Sequence, residues 1–228
     1  MSEEHRRDVL PQAGKFDAAA FLRDVQSSSS YAGQIAHVHV VPARDARYAE
    51  PETRLSSAAV RLLQSKGIDR LYTHQAEALD LALRGDNVVV ATGTASGKSL
   101  CYLLPMVELM VRDPGSRFLM VFPTKALCQD QLLGVREALG ACGVGSGAAG
   151  VYDGDTPTAQ RRRIRDNARV VLTNPDMLHA ALMPHHPRWS GFLAQLKCLV
   201  LDELHVYSGM FGSNTANLLR RFLRVCRH

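Results

Sequence analysis

The chain has 228 residues, of which 46% are hydrophobic and 21% charged, and its formal net charge is +5. This composition is that of an ordinary globular protein, and it excludes collagen, coiled coil and extensive disorder. No apolar run approaches the roughly 18 residues that cross a bilayer, and the N-terminus lacks the apolar core of a signal peptide, so we expect no membrane partner. The five cysteines include no Cys-x-x-Cys pair, a usage typical of a reducing cytoplasm rather than of a disulfide framework or a zinc site.

Residues 1–55 differ from the rest of the chain and are predicted to form an N-terminal extension. A short helix with Phe21 on its apolar side leads into the serine run of residues 27–30. Residues 34–41 then follow as a segment that we expect to be extended.

Residues 56–228 are predicted to form a single α/β domain. A helix with an apolar stripe ends at Gly67, as helices commonly end at glycine, and short apolar runs then alternate with stretches of helical periodicity. The predicted strands are residues 87–91, 118–122, 148–152, 169–173 and 198–202, and the predicted helices include residues 126–139 and 158–168. Continuous apolar strands separated by helices indicate a mostly parallel sheet with helices on both faces. Such sheets bind ligands at the C-terminal ends of their strands.

The segment at residues 92–99 reads Thr-Gly-Thr-Ala-Ser-Gly-Lys-Ser and follows the first predicted strand. Small residues let a loop direct its backbone N–H groups at phosphates next to the N-terminus of a helix. Lys98 would add a positive charge for the β- and γ-phosphates, and the Ser99 hydroxyl is placed to bind Mg²⁺. The strict pattern has glycine where this chain has Thr92. The predicted nucleotide-binding residues of this segment are Thr94, Ala95, Ser96, Gly97, Lys98, Ser99 and Leu100.

Two carboxylates, Asp202 and Glu203, stand at the end of a later apolar run. Asp202 would hold Mg²⁺, and Glu203 would act as the general base toward an attacking water. An apolar run that ends in Asp-Glu is common, as is a turn that contains glycine, and neither motif is convincing without the other. Together they indicate an NTPase.

The tetrapeptide Asp202-Glu203-Leu204-His205, taken with the phosphate loop, resembles the Asp-Glu-x-His pattern of superfamily-two helicases of the DEAH/DExH kind. The segment Tyr72-Thr73-His74-Gln75 precedes the loop, where this family places a glutamine that reads adenine. The resemblance implies a RecA-like lobe that takes ATP and Mg²⁺, with Tyr72 and Gln75 at the nucleotide. It also implies that His205 couples the nucleotide site to the surface that binds the nucleic-acid strand.

Three further segments resemble the nucleic-acid motifs of the same family: Pro-Thr-Lys-Ala-Leu-Cys-Gln-Asp-Gln (123–131), Tyr-Asp-Gly-Asp-Thr (152–156) and Thr-Asn-Pro-Asp-Met-Leu (173–178). The residues that the resemblance brings to the backbone phosphates are Thr124, Lys125, Gly154, Thr173, Asn174 and Pro175. Contacts of this kind position a strand without reading its sequence. Each segment alone would be an ordinary turn or helix start, and their order along the chain is what supports the assignment.

A narrower resemblance rests on the phosphate loop, on Leu-Tyr-Thr-His-Gln, and on Asp-Glu-Leu-His with the nine residues that follow it. These segments are similar to the MrfA-type bacterial DNA-repair helicases, which are related to the eukaryotic RecQ-four-like enzymes, and Thr92 fits that group. The resemblance implies a cytoplasmic, nucleoid-associated motor that moves 3′ to 5′ on single-stranded DNA or on DNA with a 3′ tail. Such motors have two RecA-like lobes and only the first is recognisable here, so we expect weak binding of ATP and DNA and no unwinding by this chain alone.

Two alternatives stay open on the residues themselves. A P-loop ATPase or phosphotransferase of another class would explain Lys98 and Asp202 but not Gln75 or His205. A non-catalytic module would bind nucleotide or DNA without turnover. The arginines clustered at residues 161–165 and at residues 220–227 are either part of a phosphate-binding surface or solvated helix faces.

Overall fold

The computed structural model describes residues 16–41, 45–93 and 96–226. Contacts between residues divide the chain into two compact units, Met1–Asp45 and Ala46–His228. The predicted domain boundary at residue 55 stays a prediction.

The first unit contains one helix among its described residues, α1 (Ala18–Ser27), which confirms the short helix expected around Phe21. The Asp17 carboxylate begins this helix by accepting hydrogen bonds from the backbone N–H groups of Ala19 and Ala20. No residue of α1 is buried within its own unit. Residues 34–41 form neither a strand nor a helix.

The second unit alternates helices and strands. In chain order they are α2 (Ser57–Ser65), α3 (Thr73–Arg84), α4 (Leu100–Arg112), β1 (Arg117–Val121), α5 (Lys125–Ala141), β2 (Ala149–Val151), α6 (Thr158–Asn167), β3 (Val170–Thr173), α7 (Pro175–Met177), α8 (Ser190–Leu193), β4 (Leu196–Leu201) and α9 (Gly209–Cys226). The helices predicted at residues 126–139 and 158–168 are confirmed as α5 and α6. No helix in the described ranges is both long enough and apolar enough to cross a membrane.

The four strands form one parallel sheet in the order β2-β3-β1-β4. Successive residues of β1 alternate between its faces: Phe118 and Met120 belong to one buried cluster, and Leu119 and Val121 belong to another. Side chains of α2, α3, α4 and α5 complete the first cluster, and side chains of α6, α8 and α9 contribute to the second. The prediction of a parallel sheet covered by helices on both faces is therefore confirmed.

One predicted strand was wrong. Residues 87–91 form no strand and pair with no described segment, and the side chain of Val89 is 77% exposed. A β-branched apolar run gains little from an extended conformation unless neighbouring strands supply hydrogen bonds and packing. Here β4 is an edge strand of the sheet and has β1 as its partner. The segment therefore reaches the phosphate loop as irregular chain, while the helix predicted to follow the loop is present as α4.

Candidate nucleotide and nucleic-acid site

The parallel sheet brings four of the recognised motifs to one edge. Thr124 follows β1, Gly154 follows β2, Asn174 follows β3 and Asp202 follows β4. Because the strands are parallel, all four positions lie at the C-terminal edge, where sheets of this type bind ligands.

The lysine of the phosphate loop is held by the loop itself. Its Nζ donates hydrogen bonds to the carbonyl oxygens of Thr92 at 3.3 Å and Gly93 at 2.8 Å. Thr94 and Ala95, which the sequence also assigns to the nucleotide, lie outside the described residues. An ammonium group beside backbone carbonyls can exchange these neutral acceptors for phosphate oxygens, which form stronger, charge-assisted hydrogen bonds.

Gln75 ties α3 to the phosphate loop. This side chain is 2% exposed; its Nε2 donates to the Gly97 carbonyl at 3.0 Å, and its Oε1 accepts from the backbone N–H of Tyr72 at 2.9 Å. Gly97 has φ +74°, and a Cβ atom there would lie 2.5 Å from Gln75 Nε2, so this position requires glycine for its conformation and for its space. The predicted contact of Tyr72 and Gln75 with adenine stays a prediction.

A second contact on the loop comes from His74, whose role the sequence did not reveal. Its Nε2 lies 3.0 Å from the carbonyl oxygen of Ser96. The imidazole stacks on Tyr72 at a centroid distance of 5.7 Å, and Tyr72 stacks on Tyr48 at 5.3 Å. The guanidinium of Arg70 lies 4.6 Å from the Tyr48 ring centre. The aromatic column orients His74 toward the loop.

The predicted catalytic carboxylates lie directly beyond β4. The backbone N–H of Asp202 donates to the Val121 carbonyl at 3.1 Å, and Asp202 Oδ1 accepts from the N–H of Glu203 at 2.8 Å. Glu203 has φ +52° and is the one non-glycine residue in the described ranges with a positive φ. His205 is exposed, and its Nδ1 lies 3.2 Å from Glu203 Oε2. The structure thus brings His205 to the carboxylate rather than to the sheet.

The oxygen donors at this edge fit a magnesium ion. Mg²⁺ is usually bound through one or two carboxylates, with phosphate oxygens and water as its other ligands. Asp202 offers a carboxylate and Ser99 a hydroxyl. In the part of the chain that is described, no group of three or more His, Cys, Asp and Glu side chains could hold a metal. An ion at this site would therefore take its remaining ligands from a triphosphate and from water.

Tyr102 lies beside these two residues, although the sequence did not single it out. Its hydroxyl donates a hydrogen bond to Gln131 Oε1 at 2.9 Å. Burial raises the pKa of Tyr102; interaction with the Ser99 hydroxyl opposes this effect, and the nearby charge of Asp202 adds to it. The only signal in the sequence was the spacing, since Tyr102 stands three residues after Ser99 and therefore on the same side of the helix.

The exposed candidates for nucleic-acid contact gather around Lys125. Its Nζ lies 2.8 Å from Asp155 Oδ2, and hydrogen bonding to that carboxylate raises the pKa of Lys125. A Cβ atom on Gly154 would lie 3.4 Å from the same Nζ. Thr124 caps α5, since its Oγ1 accepts from the backbone N–H of Leu127 at 3.3 Å. A cation, a hydroxyl and a glycine turn are thus adjacent on the surface.

The other three predicted contacts, Thr173, Asn174 and Pro175, are buried. The Thr173 hydroxyl donates to the Tyr152 carbonyl at 2.7 Å, and Asn174 Oδ1 accepts from the N–H of Met177 at 2.9 Å. These groups are occupied by the fold, so their burial does not favour direct contact with a strand. Their role at nucleic acid stays a prediction.

Arg161, one of the clustered arginines, holds the glycine turn. Its Nε donates to the Thr156 carbonyl at 2.8 Å, and its Nη2 donates to the carbonyls of Gly154 at 3.0 Å and Asp153 at 3.1 Å. The guanidinium therefore fixes the backbone beside Lys125. Its Nε and Nη2 are thus committed to the turn.

Comparisons with known proteins agree with this geometry. The model of the DEAD/DEAH box helicase family matches residues 72–227. The chain is 41% identical to the ATP-dependent helicase HRQ1 of Saccharomyces cerevisiae, over 90% of this chain and 19% of that protein. It is 42% identical to the ATP-dependent helicase YprA of Bacillus subtilis, over 83% of this chain and 25% of that protein. The solved structure of the helicase MrfA bound to DNA and AMPPNP superimposes with a TM-score of 0.76 at 42% identity, over 81% of this chain and 26% of MrfA. The chain thus spans about a quarter or less of the length of these relatives.

Proposed function

The chain belongs to the DEAD/DEAH box helicase family, and from that premise we propose that it binds ATP with Mg²⁺, and a DNA strand, as the first RecA-like lobe of an ATP-dependent helicase. The observation that carries the proposal is the shared edge of the sheet: the Asp202–Glu203 pair and the Lys125–Gly154 surface follow strands of the same parallel sheet. MrfA, which is similar over most of this chain, was solved with DNA and AMPPNP together. Movement from 3′ to 5′, a preference for single strands or 3′ tails, and a nucleoid-associated location belong to the same proposal.

In the nucleotide site, Lys98 would leave the Thr92 and Gly93 carbonyls and pair with phosphate oxygens. Ser99 and Asp202 would hold Mg²⁺, which when bound neutralises charge that develops on the transferring phosphoryl group. Gln75 donates a hydrogen bond to the Gly97 carbonyl of the phosphate loop. If adenine also bound to Gln75, as the sequence predicts, its binding would affect the conformation of the loop through this side chain.

Glu203 would accept a proton from the attacking water. A general base must lie within hydrogen-bonding reach of its proton donor, and the carboxylate of Glu203 is partly exposed at the open end of β4. His205, at 3.2 Å from that carboxylate, would orient it. The same imidazole would link Glu203 to a bound strand.

At the nucleic-acid surface, a backbone phosphate would compete with Asp155 for the ammonium group of Lys125. The backbone at Gly154 lies beside that ammonium, and Thr124 precedes Lys125 at the start of α5. Contacts of this type carry no base preference, so we expect binding of oligonucleotides of any sequence.

The nucleotide assignment is tested with Lys98→Ala. Loss of the charge-assisted hydrogen bonds to phosphate should weaken binding of ATP–Mg²⁺ at least about tenfold, since such bonds contribute about 1.5–3 kcal/mol. Isothermal titration calorimetry measures the affinity. Lys66→Ala is the matched control, because Lys66 pairs with Glu137 away from the loop and its loss should leave the affinity unchanged. An unaltered affinity in Lys98→Ala would refute the site.

Glu203→Gln separates catalysis from binding. It removes the base and keeps the size of the side chain, so the variant should bind ATP–Mg²⁺ normally and lose phosphate release stimulated by DNA. If the unsubstituted chain binds ATP but releases no phosphate with or without DNA, it is a nucleotide-binding module and not a catalyst by itself.

A further inference from the structure

We propose that Tyr102 is a positioning residue that couples the nucleotide end of the lobe to its nucleic-acid end, through the hydrogen bond that its hydroxyl donates to Gln131. The inference rests on the proposed function, because it requires that both ligands bind this chain. Tyr102 is not among the residues assigned to ATP or Mg²⁺. Gln131 ends the segment 123–131 but is not among the residues assigned to the backbone phosphates.

The first step of the argument is that Tyr102 belongs to the nucleotide end. It lies in the first turn of α4, directly after the phosphate loop, and three residues beyond Ser99. Its backbone N–H donates to the carbonyl of Ser99, one of the two residues proposed to hold Mg²⁺, at 3.3 Å. A change in the position of Ser99 is therefore transmitted to the turn that carries Tyr102.

The second step is that Gln131 belongs to the nucleic-acid end. It lies on α5, which begins at Lys125 and is capped by Thr124. Gln131 is six residues from Lys125, or about 9 Å along the axis at 1.5 Å per residue. Between them the Cys128 thiol lies 3.3 Å from the Thr173 carbonyl, so α5 also contacts the end of β3. A helix moves as a unit, and a shift at Gln131 is carried to its N-terminus.

The third step is that the hydrogen bond between them is the polar link across a tightly packed pair of helices. The Tyr102 hydroxyl donates to Gln131 Oε1 at 2.9 Å. Next to it, Leu103 of α4 and Leu132 and Val135 of α5 belong to the same buried cluster, so the two helices pack against each other. Both Tyr102 and Gln131 are shielded from water in part, which strengthens the bond relative to one in solvent.

The fourth step is that a hydroxyl has one proton to donate. Here that proton goes to Gln131, so the bond holds one orientation of the Tyr102 side chain. A ligand that engages Ser99 acts on the first turn of α4, to which Tyr102 is hydrogen-bonded, and so on this bond. A strand bound at Lys125 acts back on the same bond, as linkage requires.

The experiment measures coupling between two ligands on the 228-residue chain. The dissociation constant of fluorescent oligo-dT is determined by anisotropy, without nucleotide and with saturating AMPPNP–Mg²⁺, and the ratio of the two constants is the coupling factor. We expect a factor of about 5 or more in the unsubstituted chain, in the usual range for allosteric coupling. In Tyr102→Phe and in Gln131→Met it should fall toward one, while the affinity for each ligand alone changes by less than about twofold. The double variant should match the single ones, because both remove the same bond.

Gln64→Met is the matched control. Gln64 lies on α2, outside the segments assigned to nucleotide or nucleic acid, is exposed, and should keep the full coupling factor. A coupling factor of one in the unsubstituted chain, or an unchanged factor in Tyr102→Phe, would overturn the proposal. So would a parallel loss of both single-ligand affinities and of thermal stability, which would make the bond merely structural. If the unsubstituted chain binds neither AMPPNP nor oligo-dT, the proposed function itself fails, and that outcome is visible before any variant is compared.

Discussion

The backbone of Glu203 is held in a conformation that its side chain disfavours. A φ of +52° costs a residue with a Cβ atom about 1 kcal/mol or more. Hydrogen bonds hold both sides of this peptide unit: Asp202 Oδ1 accepts from the Glu203 N–H, and the Glu203 carbonyl accepts from the N–H of Val206 at 2.9 Å. Strain of this kind is typical of functional positions, and here it directs the carboxylate away from the strand and toward His205.

Comparing Glu203→Gly with Glu203→Ala isolates that strain. Both variants remove the carboxylate, so both should lose ATP hydrolysis, but only glycine adopts the left-handed conformation without penalty. The glycine variant should therefore be more stable than the alanine variant by about 1 kcal/mol, as measured by urea unfolding. Glycine alone costs about 0.4–1 kcal/mol through unfolded-state entropy, so a glycine variant less stable than the alanine variant by that amount would mean that the conformation stores no strain.

Single residues also show what a sequence can predict. Lys98, Ser99 and Asp202 are predicted as site residues from local motifs, because the chemistry of a phosphate loop depends on residues that are close in sequence. The internal hydrogen bonds of Gln75 and the bond between Tyr102 and Gln131 depend on how α3 and α5 pack against α4. No local pattern contains that geometry.

The same contrast holds for whole elements. The strands at β1, β2, β3 and β4 were predicted to within two residues at each end, because each is an apolar run bounded by polar or turn residues. The failure at residues 87–91 concerns a run of the same composition. What separates it from β1 is pairing with distant strands, and pairing is a property of the assembled sheet. Local composition therefore predicts which segments are apolar, and only the fold decides which of them form strands.

Asp80 anchors the segment before α2 to α3, and its contribution to stability should depend on pH. The carboxylate is buried and accepts from the backbone N–H groups of Glu52 at 2.8 Å and Thr53 at 3.0 Å. Burial raises its pKa, but these hydrogen bonds outweigh burial and leave the pKa below its usual value of 3.8. A lowered pKa means that the stabilisation is complete above pH 3.8 and is lost as the pH falls through the lower, folded-state value.

Asp80→Asn should accordingly lower the free energy of unfolding by about 1–3 kcal/mol at pH 7. One of the two backbone N–H groups would then face the NH2 group of asparagine, which cannot accept its hydrogen bond. The difference from the unsubstituted chain should narrow as the pH falls below 4, as measured by denaturant unfolding at several pH values. Asp86→Asn, at an exposed position beside Arg84, should change stability by less than about 0.5 kcal/mol. If the difference in free energy of unfolding between Asp80→Asn and the unsubstituted chain stayed constant down to acid pH, it would contradict the lowered pKa.

For the molecule as a whole, the placement of charge matters more than its total. The chain has 27 Lys and Arg residues against 22 Asp and Glu, a balance that alone says little about a partner. The structure shows that individual cations have different kinds of hydrogen-bonding partner. Arg161 donates to three backbone carbonyls, whereas Lys125 is held by an exposed carboxylate. A cation paired with an exposed surface carboxylate can exchange it for a phosphate, whereas Arg161 would have to give up hydrogen bonds to its own turn.

The salt dependence of DNA binding tests this distinction. Binding to single-stranded DNA releases counterions from the strand, so the affinity falls as the salt concentration rises. In a plot of log K against the logarithm of salt concentration, each phosphate that the protein neutralises contributes a slope of about −0.7. Lys125→Gln should reduce the magnitude of the slope for oligo-dT by about 0.7 and weaken binding most at low salt. Arg220→Gln removes the same formal charge from the exposed side of α9, where the guanidinium bonds Asn217, and should leave the slope unchanged. Since both variants lower the net charge equally, equal changes in slope would show that binding senses total charge, whereas a loss confined to Lys125→Gln would place a phosphate at the surface beside Gly154.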